Sequence, residues 1–169
     1  MSYLKNVFLY FLSLKKLSSK LFREIFFSTN FYNKLLISEN PARLFFYPNP
    51  YLLSPFLNHK SFLFKITKDD VENFWNKNKN LKESKNIHNF LWLNLLDRKN
   101  EKHIIQVLVK DWIEKYGNYK KDIWHENVLN KRIIAWISNA EIILEGKDKN
   151  FQELFFRSII KQINFIKKN

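Results

Sequence analysis

The chain has no cysteine, and only two glycines and four prolines among its 169 residues. Without cysteine there is no disulfide, no thiolate nucleophile and no Cys-type zinc site. Two glycines leave no Gly-rich phosphate loop: neither GxGxxG nor GxxxxGK followed by Ser or Thr occurs, and no cofactor is expected. The same scarcity disfavours an all-β chain, which would need many tight turns. Long apolar runs are missing too, since nothing approaches the ~20 uninterrupted apolar residues of a membrane span. The short apolar run 7–12 follows Lys5 as in a signal peptide, but it contains Tyr10, meets Lys15 and Lys16 at once and lacks a small-residue cleavage site, so it reads as helix.

The residues that are present are those of a packed domain, with 46% hydrophobic and 17% aromatic content. The net charge of +13 invites a nucleic-acid reading, but the excess is spread evenly, at +4, +5 and +4 over residues 1–40, 41–100 and 101–169. Arginine, the better bidentate partner for phosphate and guanine, supplies only 5 of the 29 basic residues. Both points argue against a dedicated nucleic-acid role.

Periodicity is strongest in the stretch 124–145. Val128, Leu129, Ile133, Trp136, Ile137, Ala140 and Leu144 recur at spacings of three and four, which predicts one long helix with a buried face. Before it, Ile104, Ile105, Leu108, Val109, Trp112, Ile113 and Tyr116 make a second helical stripe ending at Gly117, where a left-handed residue is expected. After it, Gly146 is expected to end the helix and Asp148 to cap a final one, with Phe151, Phe155, Ile159, Ile163 and Ile166 inward and Lys167 and Lys168 at its negative end. Short turns between long helices predict antiparallel neighbours.

Residues 3–37 read as one or two amphipathic helices, with Leu4, Phe8, Phe11 and Leu12 on one face, then Leu17, Leu21 and Ile25. Their basic side would suit an anionic membrane surface through residues 3–23, although docking on the core is the favoured expectation. Four prolines within fifteen residues mark 41–66 as an extended connector with a short strand at 62–66. From Thr67, a plausible cap with Asp69 and Asp70 behind it, a helix is expected through Val71, Phe74 and Trp75, then a polar loop at 76–80. Ser84 is expected to cap the next helix, which carries Ile87, Phe90, Leu91, Leu93 and Leu95 and breaks between Asp97 and Asn100. The expected organisation is all-α: amphipathic helices at 1–40, the connector at 41–66 and antiparallel helical hairpins over 67–169.

Four segments together, FLWLNLLDRKN (90–100), VLVKDWIEKYG (107–117), DIWHENVLNKRIIAWISNAEIIL (122–144) and FFRSIIKQINFI (155–166), resemble the N-terminal helical region of heparinase II/III-like proteins. The shared features are the pair Trp92 and Leu93, the run Asp111 to Ile113, the spacing of Trp124, Arg132 and Trp136, and Gln162 in the last helix. The glycines that flank the preceding segment in such relatives are missing around Pro50 to Ile66. The resemblance implies part of an incomplete α/α toroid. It also implies, for the longer protein, a β-sandwich and β-elimination on acidic, uronate-containing polysaccharide by Asn, His and Tyr residues lying beyond the aligned part. No catalytic residue is therefore expected in this chain.

His59, His88, His103 and His125 are scattered and are read as partly exposed or capping groups; His125 and Glu126 lack the second His of a zincin motif. Arg132 and Trp136 are the candidate substrate-binding residues, Arg for a carboxylate or sulfate and Trp for stacking on a sugar ring. The competing reading puts the tryptophans in the core and has Arg132 holding a neighbouring helix.

Overall fold

A computed structural model describes residues 2–37, 48–49, 74–75, 81–96 and 100–169, with backbone alone at 2–8 and 81–83. Among these residues all regular structure is helical: α1 (Ser2–Ser28), α2 (Asn30–Leu35), α3 (Leu81–His88), a 3-10 helix (Leu91–Leu95), α4 (Lys102–Tyr116), α5 (Glu126–Ser138), α6 (Ala140–Leu144) and α7 (Lys149–Lys168). The connector at 41–66 and its strand, the helix start at Thr67 and the loop at 76–80 lie outside the described residues, apart from Pro48 and Asn49. Phe74 and Trp75 form a turn rather than the expected helix, and both rings are buried.

The body is built from α3 to α7. α4 packs on α6 and α7, while α5 packs on α3, the 3-10 helix and α7. Its centre is aromatic: Trp112 meets Trp136 edge to face at 5.2 Å, Phe90 meets Trp136 at 5.3 Å, and Phe155 stacks on Trp136 at 5.5 Å. Edge-to-face and offset pairs of this kind add to the burial of large rings.

Several local expectations are met and several are corrected. Asp148 caps α7 by accepting the Phe151 amide at 2.8 Å, and Gly146 adopts φ 70°, the left-handed conformation glycine tolerates. Gly117 instead stays right-handed, at φ −67° and ψ −6°. Its need for glycine is steric, because an added Cβ would collide with the Ile113 carbonyl. The single helix expected over 124–145 is two, broken at Asn139. The Asn139 side chain turns back to the Ala135 carbonyl at 2.8 Å and across to Asn94 Oδ1 at 3.1 Å, ties that compete with a continuous helix. Ser84 lies inside α3 and does not cap it. α3 stops early because Phe90 takes φ 60°, and the Asn89 side chain accepts the Leu91 amide at 2.9 Å to hold that turn. The turn delivers Phe90, Trp92 and Leu93 to the core.

The largest correction concerns α1, which does not dock on the core: every residue from Leu9 to Arg23 is exposed. Among its described side chains, those at its C-terminal end touch the body. Phe27 stacks on Tyr32 at 4.7 Å and meets Phe165 at 5.4 Å, and Glu24 pairs with Lys121 at 3.0 Å. At about 100° per residue the anchor Phe27 shares its side of the helix with Lys16 and Lys20, so anchoring through it turns the Leu14, Leu21 and Ile25 side away.

Candidate functional site

Three of the buried polar residues, His88, Ser158 and Gln162, gather around a fourth, Arg132. This side chain sits on α5 four residues after Val128 and four before Trp136, on the inward stripe, and is fully buried. Its guanidinium lies over the Trp112 ring, 4.0 Å from the centroid. Nε donates to Gln162 Oε1 at 2.6 Å, and Nη1 donates to the carbonyls of His88 at 3.0 Å and Ile123 at 3.3 Å. His88 is the last residue of α3, so Arg132 satisfies the negative end of that helix. Gln162 is itself positioned by α7, donating to the Ser158 carbonyl at 3.2 Å.

No carboxylate pairs with Arg132 among the described residues, and Nη2 has no hydrogen-bond partner. Burial pulls its pKa well below the usual arginine value. The π face of Trp112 and three carbonyl-type oxygens take the place of a counter-ion.

His88 is the second element of the cluster. Its Nδ1 accepts the Trp112 indole N–H at 3.0 Å, which puts the ring proton on Nε2. The imidazole stacks on Trp75 with centroids 5.4 Å apart, and the edge of Tyr116 stands 4.7 Å away. Burial, reinforced by the positive charges of Arg132 and Lys120, lowers its pKa to about 3. His88 is therefore neutral at ordinary pH, and its Nδ1 is committed. Burial also raises the Tyr116 pKa, so its hydroxyl stays protonated. A general base needs a free lone pair near the operating pH, and neither group offers one.

Arg132 and Trp136, the two candidate substrate contacts, are thus adjacent but wholly inside, with no exposed surface to offer a polysaccharide in this conformation. The geometry matches the competing reading, in which Arg132 holds a neighbouring helix by its C-terminus. Of the histidines, His103 is exposed, His125 is an exposed cap whose Nδ1 accepts the Asn127 amide at 3.4 Å, and His59 lies outside the described residues. Among the described histidines His88 alone is buried, against expectation. No group of three His, Asp or Glu side chains suited to a metal occurs among the described residues.

Two features went unread in the sequence. Lys161 is a buried cation whose Nζ donates to the Gly117 carbonyl at 2.7 Å and Asn118 Oδ1 at 2.6 Å, closing the end of α4 as Arg132 closes α3; burial lowers its pKa to about 8. Gln106 does the same for α6, donating to the Ile142 and Glu145 carbonyls at 3.0 and 2.9 Å. Lys161 stands four residues before Phe165 and Gln106 lies between the apolar positions of α4, so spacing alone could have flagged both.

Two concavities open among the described residues. A small cleft of about 170 Å³ opens beside the α3 and α5 ends, lined by Lys85, Asn86, Asn89, His125, Asn127 and Lys131, without an acidic group. A wider recess of about 570 Å³ lies between α4 and the start of α7, with Lys110, Lys147 and Asp148 at its rim. Comparison with known families, curated proteins and solved structures returns no match.

Proposed function

We propose that this chain is the N-terminal helical portion of a heparinase II/III-like polysaccharide lyase, forming part of an α/α toroid. In the longer protein the reaction would be β-elimination on an acidic, uronate-containing polysaccharide. One observation carries this reading: five of the residues on which the resemblance rests, Trp92, Trp112, Arg132, Trp136 and Gln162, are joined through Phe90 in one buried cluster. Trp92 stacks on Phe90 at 5.4 Å, and Phe90 meets Trp112 at 6.0 Å. Trp112 carries Arg132, Arg132 holds Gln162, and Trp136 closes against Trp112. Asp111 accepts the Trp75 indole N–H at 2.7 Å, and the Trp124 indole N–H donates to the Tyr116 carbonyl at 3.0 Å. A sequence signature with five members in one packed cluster is what a shared helical framework would need, because each of these is then constrained by the others.

In this reading the chain's own residues build the framework and do not perform the elimination. The group that neutralises the uronate carboxylate, the base for the C5 proton and the acid for the leaving oxygen would come from elsewhere in the longer protein. Incubated with acidic polysaccharides, the 169-residue chain should produce no ultraviolet absorbance of unsaturated uronate; clear turnover would contradict the assignment of roles. Sequencing the source DNA and transcript past the codon for Asn169 tests the family reading itself. Continuation into further helical hairpins and a β-rich segment is expected, and a stop without such a continuation would overturn it.

A further inference from the structure

The N-terminal helix presents the one large apolar surface that the body leaves uncovered among the described residues. α1 has 27 residues and so extends about 40 Å at 1.5 Å per residue. An isolated helix in water is marginal, and its stability ordinarily comes from covering an amphipathic face. Plotted at about 100° per residue, Tyr10, Leu14, Leu17, Leu21 and Ile25 form one continuous stripe, and Phe11 and Phe22 widen it. These side chains are well exposed, Phe22 at 73% and Ile25 at 66%. Lys16, Lys20 and Arg23 stand on the opposite side, Lys15 flanks the apolar arc, and no acidic residue precedes Glu24.

We propose that α1 is a peripheral membrane anchor, lying in the plane of an anionic phospholipid surface with its Leu and Phe arc among the acyl chains. Its lysines and arginine would reach the phosphate headgroups. This inference is independent of the proposed function. Charge decides between the possible occupants. A second copy of α1 would bring one strongly cationic helix against another, and the one glutamate in this helix, Glu24, is already paired with Lys121 and is not free to pair across the seam as helix dimers use. The apolar arc, spanning about 140° of the circumference at about 100° per residue, is also wider than a two-residue coiled-coil stripe. An anionic lipid surface supplies both the opposite charge and a broad apolar medium. The helix lies on such a surface and does not cross it, because no helix among the described residues is long and apolar enough to span a bilayer.

The test is flotation of the full chain with large vesicles of phosphatidylcholine, alone or mixed with phosphatidylglycerol. Binding is expected to the mixed vesicles only and should weaken as salt is raised. Leu17→Glu with Leu21→Glu should reduce partitioning about tenfold or more, since two buried leucines are lost. Lys16→Gln and Lys20→Gln should each reduce it about fivefold. All four positions are exposed, so near-ultraviolet circular dichroism of the variants should match the parent and exclude misfolding. Equal binding to both vesicle compositions, or full binding by the double glutamate variant, would overturn the proposal. So would indifference to vesicles: a concentration-dependent dimer broken by the same substitutions would make a second copy the occupant, and a monomer with protected α1 amides would make it this chain's own residues.

Discussion

Helices α1 and α7 are built from the same kinds of residue, with Leu, Ile and Phe at spacings of three and four and Lys and Arg between them, yet they meet opposite fates. In α7, Phe151, Phe155, Ile159 and Phe165 disappear into the body. In α1 the equivalent stripe stands in solvent. The difference lies in what surrounds each stripe. α7 begins at a capped turn only a few residues after α6, so its inward face is set against α4 and α5 at once. α1 is held at its far end by Phe27, which lies on its basic side. Amphipathic periodicity states that a face needs a cover; connectivity and anchoring decide whether the chain supplies it.

The comparison can be pressed first at the body's polar centre. Arg132→Ala should destabilise the chain by about 3–5 kcal/mol in urea unfolding, because it empties a large buried volume and strips hydrogen bonds from Gln162, His88 and Ile123. A loss below about 1 kcal/mol would mean that the cluster is incidental. The two central tryptophans separate packing from hydrogen bonding. Both are fully buried, but the Trp112 indole donates to His88 whereas that of Trp136 has no partner. Trp112→Phe should therefore cost about 2 kcal/mol and Trp136→Phe about 1 kcal/mol or less, since the latter removes an unsatisfied donor along with the lost contacts.

The third prediction concerns pH. His88 has a folded pKa of about 3 against an ordinary value of 6.5, so between these pH values the unfolded chain binds more protons. Stability should be unaffected by this group above pH 6.5 and should fall as the pH drops from 6.5 towards 3, by at most about 1.4 kcal/mol per pH unit. His88→Gln, which keeps an acceptor for Trp112, should flatten that slope; an unchanged slope would remove His88 as its cause. The smallest effect belongs to the other side of the comparison. Leu17→Ser with Leu21→Ser should shift the unfolding of the body by less than about 0.5 kcal/mol, as for exposed positions generally. A larger loss would show that α1 is packed in solution.

How legible this was in the sequence varies from element to element. α4 and α7 could be read almost to their ends, because Gly117, Asp148 and the terminal lysines punctuate stripes of unambiguous period. The break at Asn139 could not, since it depends on Asn94, a tertiary partner forty-five positions away. The helix stop at Phe90 was hidden for a different reason: a bulky residue rarely takes a positive φ, and here burial of its ring outweighs the local cost. Arg132 and Trp136 stood out in the sequence as a pair, but one sequence offers the same pattern for a groove and for a core. The four-residue spacing of Arg132 from Val128 and from Trp136 was the available clue that it points inward. For α1, the apolar stripe was visible while the place of its anchor was not.

Native-state hydrogen exchange resolved along the chain addresses the contrast most directly. The account predicts that amides of α4, α5 and α7 exchange only through global unfolding, while those of residues 9–23 exchange orders of magnitude faster in buffer and slow markedly when anionic vesicles are added. Protection of residues 9–23 equal to that of α5 in buffer alone would contradict it, because the face described as uncovered would already have its partner.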